Sequence, residues 1–217
     1  MTRHGRNRQP SAATVFSSVP MPRKLVMPIV IACSFSGAGC GAGGHLTIRS
    51  ESDPETVFKG GFESGIYRVD SEGELTILLY DGPAEQPTEA MTIRMLWRPR
   101  AARTPLDPDA TNATIRYVIF TGNRPGQVSI YSGAGYLYPK GRLGGSRLGV
   151  SLWQANLRWM EASEGFEDRI GRARLTGDFT VTRNDRTMYQ ALRRLSVLIS
   201  EALGYPQQVR ADSPGFR

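Results

Sequence analysis

The chain has 217 residues, with 27 Lys and Arg, 20 Asp and Glu, and a formal net charge of +7. Five of the cations and none of the acids precede Cys40, so the remainder carries 22 cations against 20 acids, a balance that argues against a nucleic-acid-binding protein. Both His and both Cys residues lie at or before His45, which excludes Ser-His-Asp and Cys-His catalytic pairs from the rest of the chain and argues against His- or Cys-based metal sites there.

The first predicted element is an export signal. Arg23 and Lys24 precede the apolar run Leu25–Phe35, and small residues follow from Ser36 to Gly44. A basic patch, about ten apolar residues and a small-residue site are typical of a secretory signal. The apolar run is too short to cross a bilayer, which takes about 20 apolar residues. We therefore expect a removed signal rather than a retained membrane span, with a short buried strand as the alternative.

This segment resembles the signal of a bacterial lipoprotein, in which a small or apolar triplet precedes a cysteine that receives lipid and becomes the new N-terminus. Val30–Ala32 precede Cys33, but only eight residues separate this cysteine from Lys24. Gly37–Gly39 precede Cys40 and leave room for a longer apolar stretch. We favour lipidation at Cys40, with Cys33 as the alternative. The resemblance implies a bacterial cell-envelope protein anchored to the membrane, whereas cleavage by an ordinary signal peptidase would release it into the periplasm or medium.

The sequence predicts one folded domain after this leader. Residues 1–20 are polar and basic and show no apolar periodicity. Either Met1 or Met21 could be the first residue of the signal. Gly-rich sequence after Cys40 is typical of a flexible tether, and the remaining length suits a single domain. The predicted organisation is an export region at 1–39, a tether at 40–45, a β-rich domain ending in a helix at 46–205, and a tail at 206–217.

Apolar residues recur with a period of two in several segments of this domain, which predicts half-buried strands. Leu75–Leu79, Met91–Arg98 and Gly171–Thr182 each place apolar side chains on one face. Asn112–Phe120 is rich in β-branched and aromatic residues, which favours a more buried strand. We count eight or nine strands, mostly with short connections, and predict an antiparallel β-sandwich or barrel.

An aromatic and glycine-rich segment, Tyr131–Arg142, is the most suggestive candidate site. Its candidate ligand-binding residues are Tyr131, Tyr136 and Tyr138. Each tyrosine offers a flat face and a polar tip to a sugar or an apolar ligand. In the alternative interpretation the segment is a bent strand, in which Gly133 and Gly135 relieve crowding and the tyrosines complete the edge of the core.

The segment Leu148–Met160 changes phase. Apolar residues first occupy even positions, from Leu148 to Leu152, and then odd positions, from Trp153 to Trp159. A slip of one residue inside a strand is what a β-bulge produces. A break between two separate strands explains the same pattern.

Two sets of charged side chains could carry function. Four acids lie close together in a predicted turn: Glu161, Glu164, Glu167 and Asp168. Paired carboxylates can hydrolyse glycosides, although acids in a turn more often face solvent. Six arginines on outward faces could bind anionic polysaccharide or lipid headgroups: Arg94, Arg98, Arg116, Arg158, Arg172 and Arg174. The alternative is a solvated surface on which acids pair with them.

A single helix is predicted at the end of the domain. Asn184 or Asp185 can cap its start, and apolar residues recur at steps of four and three from Met188 to Ala202. Gly204 supplies the position that ends a helix, and Pro206 prevents its continuation. We expect the apolar stripe to pack across a sheet face or a barrel end.

These observations predict a binding or scaffolding domain of the cell envelope, with no catalytic residue, metal or cofactor that the sequence can nominate. Its partners would be the membrane, through the lipid, and a glycan, lipid or envelope protein. The alternative is a β-barrel carrier for a small hydrophobic ligand or glycan, with the strands closed into a cup. An enclosed apolar pocket would favour the carrier, and a solid core would exclude it. A carboxylate-based glycan hydrolase is the third hypothesis.

Overall fold

The computed structural model describes residues 44–51, 56–99, 111–122, 126–168 and 170–209. All of them belong to one compact unit. Nine strands and one helix occur in the described part: β1 Gly44–Ser50, β2 Val57–Gly60, β3 Ser64–Val69, β4 Leu75–Asp81, β5 Glu89–Met95, β6 Ala113–Thr121, β7 Gln127–Lys140, β8 Arg147–Ala162, β9 Ala173–Arg183 and α1 Asp185–Leu203. The prediction of a mainly β domain with a C-terminal helix is confirmed.

The strands close into a barrel. Their hydrogen-bonded order is β2-β1-β9-β3-β4-β5-β6-β7-β8, and β8 pairs in turn with β9. Strand β9 therefore completes a ring with β3 to β8, while its first part, 173–179, also pairs with β1. Consecutive strands from β3 to β9 are all antiparallel, and six such steps leave β9 running in the same direction as β3.

The prediction of a wholly antiparallel sheet is corrected at the place where the ring closes. Because the ring has an odd number of strands, its last pair must be parallel, and β3 pairs in parallel with β9 through Ile66 opposite Thr182 and Tyr67 opposite Arg183. The backbone N–H of Asn184 then donates to the carbonyl of Tyr67 at 3.1 Å. The sheet is mixed, and its closing seam is two residue pairs long.

Alternating side chains fill the interior of the barrel. Leu75, Ile77 and Leu79 of β4 are fully buried, and each lies opposite an inward-facing residue of β5. Strand β5 ends at Met95, so Trp97, which the alternation assigns to the same strand, lies beyond it and is exposed. The strands predicted around Ile77, Ile115 and Leu175 are confirmed, because a period-two pattern is a local property of the chain.

Strand β8 is continuous through the phase change. Its pairing with both β7 and β9 shifts by one residue around Trp153 and Gln154, and Gln154 has a φ of 45°. The extra residue returns Ala155 and Leu157 to the interior. The bulge interpretation is therefore confirmed, and the break between two strands is wrong.

Helix α1 covers the outer face of one side of the barrel. The side-chain oxygen of Asn184 accepts a hydrogen bond from the backbone N–H of Thr187 at 3.0 Å, and the helix ends at Gly204, whose φ is 80°. The buried stripe, which includes Met188, Leu192 and Leu195, packs against outward-facing apolar residues of β3 to β7. The predicted packing across a sheet face is confirmed. Among the described residues, no helix combines the length and apolar character needed to cross a bilayer.

Both predicted ends of the domain lie closer to the barrel than expected. Gly44 and His45, assigned to the tether, begin β1 and lie opposite Phe179 and Asp178. A side chain at Gly44 would collide with the backbone of β9, since its Cβ would lie 2.3 Å from the carbonyl oxygen of Asp178. In the predicted tail, Val209 is buried beneath α1, and its N–H donates to Ser196 at 2.9 Å.

Candidate functional site

One end of the barrel contains a cavity of about 680 Å³. Its apolar walls are contributed by β1, β2 and the turn that follows it, β6, and the loop between β8 and β9. They include Leu46, Ile48, Phe62, Ile119, Phe166 and Ile170. The rest of the interior is filled by large aliphatic side chains. The volume falls within the range of small-molecule sites, which occur preferentially in places such as the mouths of barrels.

The strand pattern explains why the cavity lies at this end. The inward positions of β4 run from Leu75 to Leu79 and end at Asp81. Those of β5 begin at Glu89 and continue with Met91. The alternation that places apolar side chains in the core therefore also places two carboxylates at the cavity. Asp81 lies directly opposite Glu89. Gly60 and Gly61 contribute no side chains on the facing wall.

Three aromatic rings form one wall of the cavity. Tyr117 and Tyr131 are cross-strand partners on β6 and β7, and their ring centroids lie 6.1 Å apart. Phe62 meets Tyr117 edge to face at 6.3 Å. Such pairs add about 1 kcal/mol each beyond the burial of their area. The wall is therefore built from aromatic rings in mutual contact.

The two tyrosine hydroxyls are fixed by carboxylates. The hydroxyl of Tyr117 donates to Glu89 Oε2 at 2.5 Å, and that of Tyr131 donates to Asp168 Oδ1 at 2.7 Å. Burial, followed by the neighbouring carboxylate, raises the pKa of Tyr117 and the pKa of Tyr131 far above the ordinary phenol value. Both phenols therefore stay neutral in the physiological range, and they act as hydrogen-bond donors rather than nucleophiles.

The four acids of the predicted turn have different surroundings. Asp168 Oδ1 also accepts the backbone N–H groups of Ile170 and Gly171, so its role is to hold the loop against Tyr131. Glu161 accepts a hydrogen bond from Gln207 at 3.2 Å. Glu164 is exposed, and Glu167 lines the cavity. The arrangement gives Asp168 a structural role and leaves Glu167 as the member of the four that lines the cavity.

The structure separates the three candidate tyrosines. Tyr131 lines the cavity. Tyr136 lies on the outer face, with its ring 6.2 Å from that of Trp97, and Tyr138 is 48% exposed. The reason is the pleat, since odd positions of β7 face inward there and even positions face outward. Gly133 and Gly135 face inward against the backbone of β8, so the bent-strand interpretation accounts for the glycines.

Four of the six candidate arginines lie on four different strands, whereas Arg98 follows β5 and Arg172 precedes β9. Three of the six have hydrogen-bonded partners. Arg94 forms an ion pair with Glu74 at 2.5 Å, and Arg174 forms one with Glu51 at 2.9 Å. Arg116 donates to Gln207 and Gln208 beneath the end of α1, where burial lowers its pKa. The remaining three are exposed: Arg98, Arg158 and Arg172. Pairing with acids therefore accounts for two of the six, Arg94 and Arg174.

Other predicted positions lie outside the described residues. These are Cys33, Cys40 and the apolar run Leu25–Phe35. Within the described ranges, no group of three or more His, Cys, Asp or Glu residues could hold a metal ion.

Sequence reasoning did not nominate Asp81, Glu89, Tyr117 or Phe62. A usable signal exists for the first two, because the apolar alternation of β4 ends at Asp81 and that of β5 begins at Glu89, both on the inward face. The pairing of Tyr117 with Tyr131 depends on the register of β6 against β7, which no local pattern contains. Comparisons of the chain with protein families, with curated proteins and with solved structures find no match, so the geometry of the cavity is the basis for its function.

Proposed function

We propose that this domain binds a small, largely apolar molecule inside the barrel. The observation that carries the proposal is the cavity of about 680 Å³, with aliphatic and aromatic walls and a few polar groups. Binding sites for small molecules combine these features, because apolar walls supply affinity and sparse polar groups orient the ligand. This is the carrier hypothesis drawn from the sequence, now attached to Tyr131 and its neighbours.

The fixed walls support binding rather than scaffolding. A ligand that enters a cavity loses affinity when it must first order the surrounding side chains. Here the hydroxyls of Tyr117 and Tyr131 already have partners, and Asp168 holds the loop that carries Ile170. The cavity is therefore organised before a ligand arrives.

Filling the cavity is expected to abolish this binding. Gly60 lines the cavity, and a Cβ at this position would meet no atom within 4 Å. Gly60→Phe would place a ring in that space, and we expect the affinity for the neutral fluorescent probe N-phenyl-1-naphthylamine to fall by about tenfold or more. Fluorescence titration measures the effect.

Gly60→Ala is the matched control, because a methyl group leaves most of the volume free, and it should change the affinity less than about twofold. Equal binding by Gly60→Phe and the wild type would place the probe elsewhere. A wild-type protein that takes up no probe would overturn the proposal.

We also propose that the domain is exported and anchored by lipid at Cys40, with Cys33 as the alternative. The order of Arg23-Lys24, the apolar run and the small-residue site supports this address. The membrane would then be its first partner.

Labelling bacteria with a clickable fatty acid tests the anchor. We expect label on the wild-type protein, loss of label in Cys40→Ala, and retention in the matched variant Cys33→Ala. The reverse pattern would move the anchor to Cys33, and an unlabelled wild type would refute lipidation.

A further inference from the structure

We infer that the cavity selects molecules that pair an apolar body with a cationic, hydrogen-bond-donating group such as an amine. This inference rests on the proposed binding function and adds the chemical class of the ligand. It is carried by Asp81 and Glu89, which lie on adjacent strands and face the same cavity.

The register brings the two acids together. Asp81 and Glu89 are Cα partners in the antiparallel pair β4–β5. Side chains that are directly opposite have Cβ atoms about 5 Å apart, and like charges in this arrangement repel. Each acid accepts a hydrogen bond within the fold, but placing the two charges opposite each other adds no attraction between them. A cation between the carboxylates would turn the repulsion into two attractions.

In each carboxylate, one oxygen accepts a hydrogen bond that holds the group in place. Asp81 Oδ1 accepts the backbone N–H of Glu63 at 2.6 Å, and Glu89 Oε2 accepts the hydroxyl of Tyr117. Across the part of the chain that the structure describes, the second oxygen of each has no hydrogen-bond donor. Tyr117 is a positioning residue, because it fixes the direction of Glu89 without meeting the ligand's charge.

Most of the charged side chains around the cavity are negative, which also favours a cation. The described lining residues include three carboxylates, those of Asp81, Glu89 and Glu167, and one ammonium group, that of Lys59. Lys59 lies on the exposed strand β2, whereas Asp81 and Glu89 are partly buried. An electrostatic interaction is stronger where solvent is excluded, so the two partly buried acids outweigh the lysine.

The apolar walls then define the rest of the ligand. Phe62, Ile119 and Ile170 line the same cavity as the carboxylates. An amine placed at Asp81 and Glu89 leaves its hydrocarbon part against these walls. A purely polar cation would lose this contact, and a neutral hydrocarbon would lose the charge-assisted hydrogen bonds.

Three ligands of equal chain length test the inference. Octylamine, octanol and octanoate would each displace N-phenyl-1-naphthylamine from the purified protein at neutral pH. We expect octylamine, which is then a cation, to bind about tenfold more tightly than octanol, because hydrogen bonds to charged groups are the stronger ones. Octanoate should bind most weakly.

Two variants assign the preference to the carboxylates. Glu89→Gln keeps an acceptor for the hydroxyl of Tyr117, and it should reduce the preference for octylamine over octanol from about tenfold to about onefold. Asp81→Asn should also reduce the preference for octylamine over octanol, which provides a second test if either variant is unstable. Glu72→Gln is the matched control, because Glu72 is exposed in the turn between β3 and β4 and lies outside the cavity.

The outcomes separate the inference from the function on which it rests. Equal affinity for the three ligands, or tightest binding of octanoate, would overturn the charge preference and leave the cavity as a binding site. A preference for octylamine that persists in both Glu89→Gln and Asp81→Asn would also overturn it. If neither the probe nor any octyl compound binds, the proposed function itself fails.

Discussion

Replacing Gly133 with Ala is expected to lower the free energy of unfolding by about 3 kcal/mol. A Cβ at this position would lie 1.5 Å from the carbonyl oxygen of Asn156 and 2.7 Å from its carbonyl carbon. Both atoms belong to the backbone of β8, so no side-chain rotation can relieve the overlap. Strands β7 and β8 would have to separate where Gly133 faces Leu157. Urea denaturation of the variant measures the loss.

Gly60→Ala provides the matched comparison for this experiment. It makes the same chemical change in a strand, at a position where the new methyl group meets no atom within 4 Å. Its unfolding midpoint should stay close to that of the wild type. If the two alanine variants unfold at the same urea concentration, the close approach of β7 and β8 is not a requirement of the fold.

The second large effect is expected for Asn112→Ala, with a loss of about 3 kcal/mol. Asn112 is fully buried just before β6. Its Oδ1 accepts the N–H of Leu137 at 2.6 Å, and its Nδ2 donates to the carbonyl of Leu137 at 2.8 Å. The amide side chain thus imitates a backbone partner at the end of the β6–β7 ladder. Without this amide, the backbone N–H and carbonyl of Leu137 lose these hydrogen bonds in a buried environment, which costs about 1–3 kcal/mol for each group.

Thermal and urea unfolding would measure this loss, with Asn156→Ala as the matched control on β8. Asn156 is exposed, so its truncation should change stability by less than about 0.5 kcal/mol. Equal stability of the two variants would show that the amide of Asn112 contributes no more to the free energy of unfolding than the exposed amide of Asn156.

Local patterns were sufficient for much of the fold. The alternations around Ile77 and Leu175 predicted β4 and β9, and the phase change near Trp153 contained the bulge, because both signals depend on neighbours in sequence. The helix followed from the cap at Asn184 and the stripe that begins at Met188. None of these required knowledge of which strands meet.

The closure of the sheet depends on distant parts of the chain, and sequence patterns did not determine it. Whether β9 pairs with β3 in parallel follows from the number of strands in the ring, and the choice between a sandwich and a barrel was open for the same reason. The start of β1 was also misplaced, since Gly44 and His45 have the composition of a tether and become a strand only through pairing with β9.

The cavity was predictable only in part. Tyr131 was nominated for its aromatic and glycine-rich surroundings, and it lines the cavity. Its companions Tyr136 and Tyr138 lie on the outer face because the pleat separates odd from even positions. In the sequence, Asp81 and Glu89 resemble ordinary acids that flank a turn. Their significance arises from the register of β4 against β5.

The short parallel seam has a consequence for the order of folding. The ring cannot close until β9, one of its last elements, has been synthesised, because β9 alone joins β3 to β8. Until then β3 and β8 each have an unpaired edge at the open side of the ring, and unpaired strand edges are prone to aggregation. Helix α1 begins immediately after the seam, so completion of the ring also positions the helix. Closure of the ring and placement of the helix therefore both depend on the C-terminal part of the chain, where β9 and α1 lie.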